Sequence, residues 1–318
     1  MPLGAAKAAL FGAAGSGAVA YAGYFAGGNN GITTVDRFLF ADDSRTTLGT
    51  GLSVGRRGGG CFANAGVAGY FAGGNTSGAP DTRHTTVDKF AFPDDARTTL
   101  GTGLATASDG MAGMSNSGTA GYVGGGYYPT TYTDVVEKFA FSDDGRTTLG
   151  TGLSVGRGAI QGTGMSNSGT AGYIAGGYAT SAGSAVVDKF AFSDDSRSTL
   201  GTGLTAAAWG LSGFSNSGTA GYIAGGYTGA ARLDRVDKFA FSDDSRSTLG
   251  TGLSATLYNV ACMANSGTAG YVGGGYGTGA VSTVNKFAFS DDGRTTLGTG
   301  LSVANNSLAG FANSETLV

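Results

Sequence analysis

The stretch "FAFSDDSRSTLGTGL" stands at 190–204 and recurs unchanged at 239–253. Altered versions occupy 38–52, 90–104, 139–153 and 287–301. Sixfold repetition constrains this chain more than its length of 318 residues does. Units repeated at a fixed period fold by stacking on copies of themselves, because none can bury its apolar surface alone. Two landmarks keep the same beat. A Gly-Gly pair falls at 27–28, 73–74, 125–126, 176–177, 225–226 and 274–275, so successive pairs lie 46 to 52 residues apart. A Phe-x-Phe pair falls at 38/40, 90/92, 139/141, 190/192, 239/241 and 287/289.

Each unit reads as four short strands. In the unit from Gly210 to Leu253, Asn216-Ser217-Gly218 is a tight-turn signal between two short runs. "GYIAGG" is aromatic and β-branched and ends where the backbone must turn. In "RVDKFAF", Asp237, Phe239 and Phe241 alternate with Val236, Lys238 and Ala240, the two-residue period of a strand. "SDDSR" is a polar turn and "STLGTGL" a fourth strand, and no helical period is present.

A repeat of this length and make-up predicts an all-β chain: a six-bladed β-propeller of four-stranded antiparallel blades. Twelve Phe from the Phe-x-Phe pairs are expected between neighbouring blades. The last unit ends "SLAGFANSETLV", which matches the first strand "GLSGFSNSGTA", so a C-terminal strand is expected to close the ring. That leaves 1–17 as a short N-terminal arm, an assembly contact or a channel segment, and 18–318 as the propeller.

The apolar run ending in Gly-Gly, the aromatic of the third strand and the polar turn into the fourth resemble the kelch-type propeller repeat. Phe190 stands where kelch blades usually carry Tyr, and Arg197 where they carry Trp. The phrase "SDDSRSTLGTGL…SNSGTAGYIAGG" is similar to repeats in propeller proteins of tailed phages. That resemblance implies a tail-fibre or other virion-associated protein, partnered with virion or filament subunits through the arm.

Antiparallel strands place the Asn-Ser-Gly and Asp-Asp turns at one end of every blade, and the loop after Gly-Gly with the crossover after "LGTGL" at the other. The first face is nearly uniform. The second differs in every repeat ("NTSGAPDTRHT", "YYPTTYTD", "YATSAGSA", "YTGAARLDR", "YGTGAVST") and is the expected recognition face. Tyr127, Tyr128, Tyr132, Trp209 and Tyr258, with Arg83, His84 and Arg232, are its candidate binding residues. Flat rings with a polar edge suit sugars or a protein partner, here a cell-surface glycan or receptor.

Other chemistries find little footing. The net charge of −3 and the absence of a basic run argue against nucleic acid. No stretch is long and apolar enough to cross a membrane as a helix. The Ala/Gly-rich start resembles a weak signal peptide, and cleavage is not expected. Cys61 and Cys262 sit at equivalent places in non-adjacent repeats, too far apart to pair, and are expected as free buried thiols. Twelve of the 22 acids lie in Asp-Asp pairs, read as turn formers paired with the following Arg instead of calcium ligands. Hydrolase carboxylate pairing is unmarked, and His84 is the only histidine. The expectation is a non-enzymatic structural and binding propeller of a phage virion, without cofactor. An extracellular filament-forming or glycan-binding propeller is the first alternative, and a sialidase-like glycoside hydrolase the second.

Overall fold

The structure is a computed structural model and describes residues 21–76, 82–128, 130–158 and 163–314. Six four-stranded antiparallel sheets form its blades. Blade 2 runs Gly60–Asn64, Ala68–Ala72, Val87–Ala91 and Arg97–Thr99 from inner to outer strand, and blades 3 to 6 follow the same order from Ala112, Gly164, Trp209 and Ala261. Blade 1 is composite. Its inner strand, Ala309–Asn313, pairs in antiparallel register with Ala22–Ala26, so the end of the chain closes the ring as expected. The inner strands touch one another consecutively through all six blades. The arm at 1–17 lies outside the described residues. The fourth strand is shorter than "STLGTGL" suggests: it covers only Arg197–Thr199 in blade 4, and the glycine-rich remainder leaves the sheet as the crossover.

Both faces of a blade are buried against neighbours, so the alternation within a third strand divides side chains between two interfaces. Phe239 packs with Tyr173 and Met165 of the preceding blade, whereas Val236 packs with Phe287 of the next. The first Phe of each pair is buried throughout, while Phe141 and Phe289 at the second position are only half-buried. The nearest ring to that second Phe is a tyrosine at every interface, with Phe62, Phe311 and Phe214 also meeting Phe141, Phe92 and Phe289 at 6.2–6.4 Å. Tyr24–Phe92, Tyr70–Phe141, Tyr122–Phe192, Tyr173–Phe241, Tyr222–Phe289 and Tyr271–Phe40 stack at 5.3–5.6 Å between centroids.

The same six tyrosines explain half of the Asp-Asp motif. Each phenol donates to the second Asp of the next blade, from Tyr24 to Asp95 through Tyr271 to Asp43, at 2.7–2.9 Å. The other oxygen of each carboxylate receives a cation from the same blade as the tyrosine. Arg37 serves Asp95, and a lysine 2.7 Å away serves each of the other five. Those lysines also lie 5.3–5.4 Å from the tyrosine ring centroids. The second Asp is held at φ 56–58°, a left-handed conformation that Asp tolerates at a turn. The first Asp acts only locally. Its Oδ1 accepts the backbone N–H two residues on, as Asp194 does from Ser196 at 3.0 Å.

The pairing of this motif with the following Arg is therefore corrected. Arg45, Arg97, Arg146, Arg197 and Arg246 reach the third-strand acid of their own blade, Asp36, Asp88, Glu137, Asp188 or Asp237, at 2.8–3.9 Å. Of the two Asp-Asp carboxylates, the second is engaged by the adjacent blade and the first by its own turn.

An inner strand has one free edge, and unpaired amides there are costly. Serines of the next blade supply the acceptors. Oγ of Ser115, Ser166 and Ser215 accepts from the backbone N–H of Ala63, Ser115 and Ser166 at 2.8–2.9 Å. Asn side chains bind the turn glycines one blade on, as Asn64 does with Gly118 at 2.8 Å. Close approach demands glycine here: a Cβ on Gly164 would overlap the Gly113 carbonyl oxygen, and one on Gly121 the Phe62 ring. Cys61 and Cys262 are free and buried, and burial pushes the Cys262 thiol up to about 12.

Two outcomes follow from the clasp. Burial, then the Asp hydrogen bond, raises the six phenols well above the ordinary tyrosine value. A raised folded-state value means the stabilisation is complete below the unfolded pKa of about 10 and is lost as pH rises. Six coupled groups give a fall of roughly 8 kcal/mol per pH unit above that point. Absorbance at 295 nm should show these six of the 14 tyrosines ionising only together with loss of circular dichroism. The adjacent acids should also separate by role in urea melts. Asp195→Ala strands the Tyr122 hydroxyl and should cost about 1–3 kcal/mol, whereas Asp194→Ala, which removes only an exposed local hydrogen bond, should cost clearly less. Equal losses would contradict the division of labour.

Candidate functional site

The variable loops fold back as small hairpins at the rim of the channel. Asn75–Thr76 pairs with Thr82–Arg83, Tyr127–Tyr128 with Thr131–Tyr132, and Tyr178–Ala179 with Ala182–Gly183. In blade 5 the inner and second strands instead run on to Trp209 and Tyr227. The residue after each Gly-Gly pair is fixed by backbone pairing to the crossover. Tyr127 N–H donates to Asp109 O, Tyr178 N–H to Gly158 O and Tyr276 N–H to Tyr258 O, at 2.7–2.8 Å. The second glycine holds φ 100–113° in these loops and at Gly226, which only glycine adopts freely.

This anchoring lines up the aromatics as one arc across four loops. Tyr127 meets Tyr132 at 5.1 Å between centroids, Tyr132 meets Tyr178 at 5.6 Å, and Tyr178 meets Trp209 at 6.0 Å. Trp209 then contacts Tyr227 at 5.3 Å and Tyr258 at 5.4 Å, and Tyr258 reaches Tyr276 at 5.7 Å. Tyr178, Tyr227 and Tyr258 all stand nearly perpendicular to the indole, at 86–89°. All seven rings are half-buried, so each keeps part of its surface in solvent. A guanidinium caps each end. Arg83 lies 4.6 Å from the Tyr127 centroid, with its Nε donating to Asp109 at 2.6 Å. Arg232 lies 5.9 Å from both Tyr258 and Tyr276 and is exposed. Across the mouth the rim is polar: Arg57 donates to the Asn29 side chain at 3.0 Å.

Of the residues singled out from sequence, Tyr127, Tyr132, Trp209, Tyr258, Arg83 and Arg232 come together in this arc. Tyr128 does not join the chain of ring contacts; its side chain is exposed. His84 does not join it either. Its Nε2 shares a hydrogen bond with Thr76 Oγ1 at 2.6 Å, and burial, then the Arg56 charge, lowers its pKa. Sequence reasoning missed Tyr178, Tyr227 and Tyr276, although four of the six Gly-Gly pairs are followed by Tyr.

Also unforeseen were two buried ion pairs beneath this face. Arg56 and Arg157, at matching places in the first and third crossovers, are fully buried beside Asp88 and Asp188 at 3.0 and 2.9 Å. Arg56 also donates from Nε to the Gly73 carbonyl at 2.7 Å. Burial alone would raise the two carboxyls, but the guanidinium and the serine and threonine hydrogen bonds hold them below the ordinary value. The only sequence signal was "SVGR", present in two crossovers of six.

No family model matches the chain, and no curated protein does. Among solved structures, that of YjhT matches with a TM-score of 0.68 and 14% identity, over 88% of this chain and 98% of that one. At such identity the likeness is one of fold, and that fold is the six-bladed propeller.

Arg157→Ala leaves the Asp188 charge buried and uncompensated, and should cost about 3–5 kcal/mol at neutral pH. The sign of its pH dependence is set by Asp188. In the parent the depressed carboxyl stabilises above its unfolded pKa of about 3.9, and that contribution fades as pH falls below it. In the variant, burial without the cation raises the carboxyl, so acid relieves the penalty. The stability gap in urea melts should therefore narrow from about pH 7 to about pH 4.

Proposed function

We propose that this chain is a non-enzymatic structural and binding propeller that recognises a cell-surface saccharide through the aromatic arc on its variable face. The arc carries the reading: seven rings at 5.1–6.0 Å spacing, positioned by backbone pairs and partly open to solvent. Aromatic faces stack on the C–H faces of sugar rings while phenol and indole edges offer hydrogen bonds. The disposition of the acids favours binding over catalysis. Six hold turns, six clasp the preceding blade, five pair with outer-strand Arg, and Asp109 pairs with Arg83. Among the described acids, only the exposed Asp134 and Asp234 stand outside these arrangements.

The similarity of the repeat phrase to tailed-phage propellers supports a setting on a phage particle, as a kelch-like tail-fibre or capsid-associated subunit, with the arm at 1–17 as its assembly contact. The face that varies among otherwise uniform repeats is the side such a subunit would turn to its receptor.

Trp209 is the only tryptophan, so its fluorescence reports on the arc directly. Titration with surface polysaccharides of candidate hosts should quench or shift the emission, and Tyr178→Ala should weaken binding at least about tenfold, roughly 1.4 kcal/mol. Unchanged emission together with no retention on a glycan array would contradict the reading. Electron microscopy of the native source, showing the protein on particles or on bare fibres, tests the setting.

A further inference from the structure

The six crossovers enter the propeller at equivalent places, which allows one blade to be compared with another as if each were a variant. The residue matching Arg56 is Ser108, Arg157, Ala208, Leu257 or Asn305 in the other five. Its fate follows the third-strand acid. Blades 2 and 4 bury Asp88 and Asp188 against crossover arginines. In blade 5 Arg235, the residue just before the third strand, reaches Asp237 at 3.3 Å. Blade 6 has neither charge: Leu257 takes the place of the arginine and Asn285 that of the acid. In blade 1 no such cation is present among the described residues, and both oxygens of Asp36 are occupied by Ser302, Thr47 and Arg45.

Blade 3 breaks the pattern. Its acid is Glu137, only 6% exposed. The crossover Arg is replaced by Ser108, and the serine hydroxyl that serves Asp88 and Asp188 is replaced by Ala105. Oε1 of Glu137 accepts from the Ala105 N–H and from Arg146, both at 2.8 Å. No protein group donates to Oε2 among the described residues. A cavity of ≈ 170 Å³ opens beside it. Its walls include Val123, Gly125, Val135 and Glu137, the positions that in blade 2 supply all the distant acceptors of Arg56, namely Phe71, Gly73, Thr86 and Asp88. Ser108 lies where the arginine would enter, and Tyr128 is at the rim. No ring of the aromatic arc lines it.

We infer that this cavity is a binding site for an alkylguanidinium group, presented either on a small molecule or as an arginine side chain of a partner. The carboxylate supplies the charge, the retained backbone positions match the planar fork of donors, and the apolar walls suit the alkyl arm. A buried carboxylate with one open oxygen gains more from a desolvated cation than an exposed one does. The site stands whether or not the arc binds saccharide.

The test is saturation-transfer NMR and calorimetry with butylguanidinium at pH 7 on the full chain, with neutral butylurea as comparator. Butylguanidinium should bind at one site and butylurea should not. Ser108→Arg, which restores the residue that fills this place in blades 2 and 4, should remain folded by circular dichroism and lose binding at least tenfold. Glu137→Gln should lose it likewise. An amidated Gly-Gly-Arg-Gly-Gly peptide distinguishes the sources: binding as tight as butylguanidinium points to a partner's arginine, and binding of butylguanidinium alone points to a small ligand. Failure of both probes, or equal binding to the parent and to a folded Ser108→Arg, overturns the inference.

Discussion

The bond from a second-strand phenol to the carboxylate of the next blade is the interaction on which this ring depends. A propeller blade has two faces to cover and no helix to cover them, so its stability lies between blades. The Tyr–Phe stack supplies the apolar part of that contact. The Asp makes the stack specific, since a buried hydroxyl without an acceptor costs free energy and only one register of the two blades provides it. The cation on the second oxygen completes the unit, and a Lys or Arg fills that role at all six interfaces. Tyr in the second strand, Lys in the third and Asp in the turn are therefore one feature written in three places.

Much of this was legible in the sequence, and the limits are instructive. Spacing and alternation fix the blade count, the strand order and the closing role of the C-terminal strand, because those depend on backbone pairing within and beside each repeat. The function of Asp195 was not legible, since its partners Tyr122 and Lys138 lie 73 and 57 residues away and belong to another repeat. Adjacency in the chain suggested Arg197 instead. The outer strand was overread because threonine-rich "STLGTGL" has β propensity, while its glycines favour leaving the sheet. At the loop face, residue type found Trp209 and Tyr258, but the order of the arc comes from crossovers pairing with loops of the same blade. Only a folded rim brings Tyr132 against Tyr178 or Trp209 against Tyr258.

The two faces differ because they answer to different constraints. At the turn face each residue must fit an unchanging neighbour on both sides, so a change at one interface is opposed there and uncompensated elsewhere. At the loop face the Gly-Gly pair and one backbone bridge define where a loop starts and how it is held, and the side chains beyond are free. Blades 3 to 6 place Tyr directly after the glycines and blades 1 and 2 place Asn there, which divides the mouth into an aromatic side and a polar side.

Beneath that face, the crossover position shows how a repeat protein can vary its interior without loss of fold. A buried acid costs little when a guanidinium reaches it and much when none does. The blades meet that condition in different ways: an arginine from the crossover, an arginine just ahead of the third strand, removal of the acid itself, or saturation by hydroxyls and the outer-strand arginine. Each is a local solution confined to one wedge between blades, so a substitution there leaves the other five interfaces untouched. The cost of an unmet acid in blade 3 is eased by the longer reach of Glu137 to Arg146 and by its access to the adjoining cavity. The uniform clasp is what permits such departures, because five intact interfaces hold the ring in register while the sixth is free to change.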